Sequence, residues 1–214
     1  MSTQGKKGPG KFTTFLTNIG GWIADAFLLH IYVLFGTIKG GVILGLFPAL
    51  TAGVKVLLSW ILDPYAKHEN FRVFHRSWQK NFKLANLVGY TVAVLYAFLG
   101  IDWYVNKMHI ESVGLGYALI AVMVGVVFLT SYIFTIMSSF DVSYKETLKQ
   151  SFFLSLATPM HTLAGLFGLF AVYHIIYAFP FIGVFFGFTL FLLPLAWFNH
   201  TGFNRVEQYK RDNL

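Results

Sequence analysis

The feature that most constrains this chain is a series of six apolar runs, each close to the length of one bilayer crossing. A bilayer core needs roughly 20 mostly apolar residues per helix. Helices are expected because the bilayer offers no water to unpaired peptide groups, and because a membrane β-barrel would alternate apolar and polar positions. The sequence therefore predicts an all-α, polytopic transmembrane helix bundle. Its six predicted spans cover residues 19–38, 41–62, 84–104, 113–137, 151–177 and 179–198.

Charged residues are too scarce for a water-facing fold. They make up 12% of the 214 residues, half of the roughly 25% found in soluble domains. A soluble enzyme is excluded on this ground. The chain has no cysteine, which excludes disulfides, thiolate catalysis and cysteine-ligated zinc or iron–sulfur centres. The first apolar run is too long for a secretory signal and lacks a cleavage site, so we expect it in the mature protein.

The runs divide the chain into one membrane domain and two tails. The boundary between the last two spans depends only on Ala178, Phe179 and Pro180, so a five-span alternative stays open. The expected divisions are a cytoplasmic N-terminal tail (1–18), a transmembrane helical domain (19–198) with a long cytoplasmic loop (63–83), and a cytoplasmic C-terminal tail (199–214).

The placement of basic residues predicts an orientation. With six spans, 13 Lys and Arg residues fall on one side of the membrane, and only Lys39 and Lys107 fall on the other. Cytoplasmic loops carry such an excess of basic residues. We therefore expect a multi-pass protein of the cell membrane with both termini in the cytoplasm. The net charge of +7 is thus explained by basic residues on the cytoplasmic side of the membrane. No nucleic-acid partner is expected.

Two charged residues lie inside predicted spans. Asp25 is six residues from the cytoplasmic end of the first span, and Lys55 is seven residues from that end of the second. At 1.5 Å per residue, antiparallel helices would place both at roughly 9–11 Å depth. They are predicted to form a buried ion pair. Three interpretations stay open: a structural pair, Lys55 extending to the headgroups, or an ion relay.

The sequence carries no recognisable catalytic, cofactor-binding or metal-binding motif. His30, His161 and His174 lie within spans but lack the four-residue spacing of metal ligands on one helix. A nucleophile elbow and a phosphate-binding loop are also missing from the sequence. We therefore expect no enzyme and no cofactor.

A stripe of small residues runs along the second predicted span. Its members recur every four residues and are Gly41, Gly45, Ala49 and Gly53. Small side chains let a neighbouring helix approach closely. The stripe is predicted to pack inside the bundle, while the alternative of a homo-oligomer interface stays open.

The 63–83 loop contains an amphipathic helical pattern. An aromatic stripe is formed by Phe71, Phe74, Trp78 and Phe82, and basic residues that include Arg72 and Arg76 lie off that stripe. A basic amphipathic helix of this kind lies flat on a membrane surface. The loop is therefore predicted to contact lipid or, alternatively, to dock a cytoplasmic partner.

Several ordered segments resemble one family. They are residues 41–49 (GVILGLFPA), 60–62 (WIL), 81–89 (NFKLANLVG), 148–156 (LKQSFFLSL) and 158–159 (TP). Together they are similar to the YesL-like family of small bacterial integral membrane proteins, a domain of unknown function, over residues 18–198. The resemblance implies a genetic association with carbohydrate ABC importers and supplies no catalytic residues. Asp25 and Lys55 fall outside the resembling segments.

The expected function is a non-enzymatic accessory or assembly component of carbohydrate (oligosaccharide) ABC uptake. The expected partners are the lipid bilayer and ABC importer permease subunits. The alternative is a small secondary transporter or channel, as a homo-oligomer, in which Asp25, Lys55 and the buried histidines line a polar path.

Overall fold

The computed structural model describes residues 11–63 and 69–213, which form seven α-helices. Residues 1–10 of the predicted tail and 64–68 of the predicted loop lie outside the described residues. A π-helical turn, Asn106–Ile110, extends α3. The helices are α1 (Lys11–Lys39), α2 (Ile43–Leu62), α3 (Asn70–Val105), α4 (Val113–Ser139), α5 (Tyr144–Ala157), α6 (Pro159–Ala178) and α7 (Pro180–Asn213).

Six of these helices are long and apolar enough to cross a membrane, which confirms the six-span prediction. The boundary between the last two is real, because α6 ends before Phe179 and Pro180 begins α7. Proline suits the first position of a helix, where its missing N–H is not needed. The structure thus has the helix boundary that the five-span alternative lacks. The exception among the seven is α5, a 14-residue helix.

The predicted loop over 63–83 differs from the structure. Its described residues from Asn70 onward form the first part of α3, which continues without a break to Val105. No proline interrupts this stretch, and Gly89 is tolerated inside it. The amphipathic segment is therefore the beginning of a 36-residue helix and not a separate surface helix.

The predicted fifth span, 151–177, is two helices. Its first part belongs to α5, which begins with a capping box in which Ser143 and Glu146 bond each other's backbone. Helix α5 ends before Thr158, because a residue that precedes proline disfavours the helical conformation. Helix α6 then begins at Pro159. At the other end of the chain, α7 passes residue 198 and continues to Asn213.

Helix α2 is the centre of the bundle. Of its most apolar stretch, 61% is buried, against at most 39% in any other candidate span. Its side chains join those of α1, α3 and α7 in the largest apolar cluster, in which Val33, Trp60, Phe74 and Leu192 are almost fully buried. Helices around α2 keep large apolar side chains exposed, such as Phe167 at 71% and Tyr177 at 77%. Lipid is the solvent that suits such a surface.

A proline inside α2 is compensated by α3. Pro48 has no N–H to donate to the carbonyl of Leu44, and such a lost bond is costly in a helix interior. The side-chain amide of Asn86 donates to that carbonyl instead, at 2.9 Å. Tyr90 donates to the carbonyl of Ile43 at 2.6 Å. Two of the segments that resemble the YesL-like family, 41–49 and 81–89, are thus packed against each other.

Candidate functional site: a basic cavity between α2, α3 and α4

A cavity of about 460 Å³ lies where the end of α4 meets α2 and the first half of α3. Its lining contains three cations, Lys55 of α2 and Arg76 and Lys80 of α3. Asp141, just beyond α4, is the one carboxylate among the described lining residues. We call this feature the basic cavity.

The single carboxylate is already paired. Asp141 forms an ion pair with Lys80, and both side chains remain more than half exposed. Within the described part of the chain, neither Lys55 nor Arg76 has an ion-pair partner. The basic cavity therefore holds two positive charges that its own residues do not compensate.

Polar side chains complete the lining. Ser77 and Asn81 of α3 are 7% exposed, and Ser138 of α4 is 5% exposed. The Asn81 amide donates to the Ser77 hydroxyl oxygen at 3.3 Å, which leaves the Ser77 hydroxyl hydrogen for another acceptor. The Ser138 hydroxyl donates to the carbonyl of Thr135 at 2.9 Å. The cavity thus offers both positive charge and hydrogen-bond donors.

Lys55 lies in the lining of the basic cavity with Arg76, Lys80 and Asp141. Its predicted partner Asp25 belongs to α1 and is not among the lining residues, and the ion pair between the two stays a prediction. This set of neighbours could not be predicted from the sequence, because it depends on the packing of three helices. The pairing of Lys80 with Asp141 joins residues 61 positions apart and has no local signal.

The predicted aromatic stripe on 63–83 mostly faces the protein. Phe74 is 2% exposed and belongs to the apolar core, while Trp78 and Phe82 are half-buried and contact each other edge to face. Phe71 is 49% exposed. Arg72 and Arg76 are exposed as well. The surface available to lipid or a partner is therefore basic, with one aromatic residue at its edge.

The small-residue stripe of α2 packs inside the bundle at three of its four positions. A Cβ added to Gly45 would lie 2.1 Å from the carbonyl oxygen of Thr37, and one added to Gly53 would lie 2.8 Å from Leu192. Ala49 is fully buried. Gly41 instead lies in the turn before α2, with a positive φ of 77° that favours glycine.

A second cavity was not expected from the sequence. It is an apolar cleft of about 560 Å³ between α1, α2, α6 and α7. His30 is its titratable lining residue, and the His30 Nδ1 accepts the backbone N–H of Phe188 at 3.2 Å. Gly183 and Gly187 of α7 are among its lining residues. In residues 11–63 and 69–213, no three His, Asp or Glu residues are grouped as metal ligands would be.

The helices define the class of this protein: it is an all-α, multi-span membrane protein. Residues 26–103 match the family model described as "Protein of unknown function, DUF624". This match, together with the relatives described next, bears out the resemblance drawn from the motifs of the chain. The matched region contains α2, about half of α1 and nearly all of α3, and hence the Pro48–Asn86 compensation.

Two relatives from Bacillus subtilis (strain 168) are distant homologues over most of the chain. The uncharacterized protein YesL is 27% identical over 196 residues, which cover 87% of this chain and 88% of YesL. The uncharacterized protein YesV is 23% identical over 184 residues, or 85% and 88% of the two chains. No solved structure matches the chain.

Proposed function

We propose that the protein is a non-enzymatic accessory component of a carbohydrate ABC importer, and that it binds a permease subunit of that importer. The observation that supports this most is the exposed face of α3, formed by Arg72, Arg76, Lys80 and Lys83. We call it the α3 basic face. The carbohydrate assignment rests on the family resemblance alone.

The α3 basic face is presented on a rigid support. On the opposite side of the same helix, Phe74 and Ser77 are buried. Asn70 is buried too, and it accepts a hydrogen bond of 2.8 Å from the Trp60 indole. A surface held in this way loses little conformational entropy on binding, which favours affinity.

The partner surface that fits the α3 basic face is acidic. Complementary charge accelerates association and excludes wrong partners. Beside the basic residues, Phe71 is half exposed and offers an aromatic anchor of the kind that contributes strongly to interfaces. A cytoplasmic loop of a permease that carries Asp and Glu would meet both requirements.

The test is affinity purification in mild detergent from the host, grown on complex glycans, followed by mass spectrometry. We expect stoichiometric recovery of permease subunits with the native chain, and their loss when Arg72→Glu and Lys83→Glu are combined. The matched control is Lys107→Glu, which changes an exposed lysine just beyond the other end of α3. Phe74→Ala is unsuitable, because it would damage the core.

Recovery of the chain alone, with the variant and the control behaving alike, would contradict the proposal. Flux in liposomes would then decide for or against the alternative, a small transporter or channel. That alternative requires ion or substrate flux that Lys55→Gln alters.

A further inference from the structure

We propose that the basic cavity binds a phosphate group, carried either by an anionic lipid headgroup or by a free phosphate ester. This inference does not rest on the proposed accessory role, although Arg76 and Lys80 belong both to the basic cavity and to the α3 basic face. It assigns a ligand class to a site for which the family description names none.

The position of Lys55 is the first step of the argument. It lies inside α2, an apolar helix of membrane-spanning length, between Val54 and Val56, which are both fully buried. An ionised side chain inside a membrane helix is costly and usually marks a functional pathway or site. Because no described carboxylate pairs with Lys55, an anionic ligand is what would compensate its charge.

The charge of the cavity selects the ligand class. Lys55 and Arg76 leave two uncompensated positive charges, since Asp141 is paired with Lys80. A phosphate monoester carries about −1.5 to −2 charges near neutral pH, which matches this excess. Arginine also binds phosphate through two parallel hydrogen bonds.

The neutral lining supplies further hydrogen bonds. The Ser77 hydroxyl hydrogen is available, and the Asn81 amide has a second hydrogen beyond the one given to Ser77. A phosphate presents at least three acceptor oxygens, more than a carboxylate. The volume of about 460 Å³ lies within the roughly 300–1,000 Å³ range of small-molecule sites. The cavity is therefore suited to a phosphate and its first substituent.

The experiment is thermal unfolding of the full-length, detergent-purified protein with two probes. Inorganic phosphate is titrated against chloride at equal ionic strength, and phosphatidic acid, whose headgroup is a phosphate monoester, is titrated against phosphatidylcholine in mixed micelles. We expect at least one probe to raise the Tm in a saturable manner, because a ligand that binds the folded state stabilises it. Stabilisation by phosphate identifies a free phosphate ester as the source, and stabilisation by phosphatidic acid alone identifies a lipid headgroup.

Three variants locate the binding. Lys55→Gln and Arg76→Gln should each weaken the affinity about tenfold or more, the usual effect of losing a charge-assisted hydrogen bond. Asp141→Asn should strengthen it, since the variant removes the carboxylate that competes for Lys80. Lys83→Gln is the matched control, because Lys83 is exposed on the same helix and outside the cavity lining. Because Arg76 is exposed, we expect Arg76→Gln to fold. This variant therefore tests the binding even if Lys55→Gln does not fold.

Two results would overturn the inference: neither probe shifts the Tm, or the shift survives in Lys55→Gln and Arg76→Gln as it does in Lys83→Gln. Loss of permease recovery with Arg72→Glu and Lys83→Glu would leave this inference untouched. The two proposals can therefore fail separately.

Discussion

The two halves of α3 belong to one continuous helix, yet they face opposite environments. Nine of its ten buried residues lie in the 23 residues from Asn70 to Val92, here called the first half, and one lies in the 13 residues that follow, here called the second half. The first half carries the polar and basic residues, and its Ser77 and Asn81 are buried. In the second half, Phe98 and Tyr104 are about three-fifths exposed. Within α3, therefore, the more apolar part is the exposed one, while the more polar part is packed against protein.

The reason is that lipid and the protein interior are both apolar. Two apolar surfaces gain little from leaving lipid for each other, so helix contacts depend on close packing and hydrogen bonds. The first half of α3 has both kinds of contact: Gly89 meets the Phe47 ring, and Asn86 bonds the carbonyl of Leu44. In the second half, Gly100 has no neighbour within 4 Å of an added Cβ.

The largest expected effect comes from truncating an aromatic residue in each half. Phe74→Ala should lower the free energy of unfolding by about 3–5 kcal/mol, because it empties a core site. Phe98→Ala should cost less than about 1 kcal/mol, since Phe98 is already 60% exposed. Reversible unfolding in mixed micelles measures both. Equal costs would break the comparison between the two halves.

A pair of glycine substitutions gives the next largest difference. An alanine Cβ at Gly89 would lie 2.3 Å from the Phe47 ring, so Gly89→Ala should destabilise the fold by about 2–3 kcal/mol. Gly100→Ala should be neutral or stabilise it by up to about 1 kcal/mol, because alanine is the better helix former. The same unfolding assay applies. A neutral Gly89→Ala would mean that α2 and α3 do not approach so closely.

The Asn86 contact should show coupling to Pro48. Asn86→Ala should cost about 1–2 kcal/mol, because it leaves the Leu44 carbonyl without its donor. In a Pro48→Ala background, the restored backbone N–H can serve that carbonyl, so the same substitution should cost less. A double-mutant cycle measures this difference. Additive costs would contradict the compensation.

The smallest expected effect concerns α5, the one helix outside the candidate spans. The Ser143 backbone N–H and hydroxyl donate to Glu146 and lower the pKa of its carboxyl below the usual 4.5. A depressed pKa contributes stability above the unfolded-state pKa, and that contribution is lost as pH falls through the folded pKa. Glu146→Ala should therefore lower the Tm at about pH 7 and have little effect at about pH 3. If the difference in Tm between Glu146→Ala and the native chain is the same at both pH values, ionisation of the Glu146 carboxyl does not contribute to the stability of the cap.

Local pattern was sufficient to predict the number of spans, because each apolar run has membrane-crossing length. It could not predict the continuity of α3. The repeat of Phe71, Phe74, Trp78 and Phe82 is the same whether a helix lies on a membrane surface or packs on α2. The break at Thr158 was missed because the apolar content continues across it, although Pro159 carried the signal.

The candidate site was less accessible to sequence reasoning. Lys55 was identified because a charge within an apolar run is unusual, but its neighbours come from other helices. Depth along antiparallel helices suggested Asp25 as a partner, but it could not show that Lys55 shares a cavity lining with Arg76 and Asp141. Which face of α2 meets α3 depends on Gly45, Pro48 and Asn86 together, and no single segment contains that information.

The most direct test of the central claim is thiol labelling in native membranes, since the chain contains no cysteine of its own. Single variants Arg72→Cys, Ser77→Cys and Phe98→Cys would be treated with a water-soluble and a lipid-soluble maleimide. We predict that position 72 reacts rapidly with the water-soluble reagent and position 98 with the lipid-soluble one. Position 77, which is 7% exposed and lines the basic cavity, should react with the water-soluble reagent far more slowly than position 72 until the protein is unfolded. Equally rapid reaction of Ser77→Cys and Arg72→Cys would contradict the account, because it would place the first half of α3 free on the membrane surface.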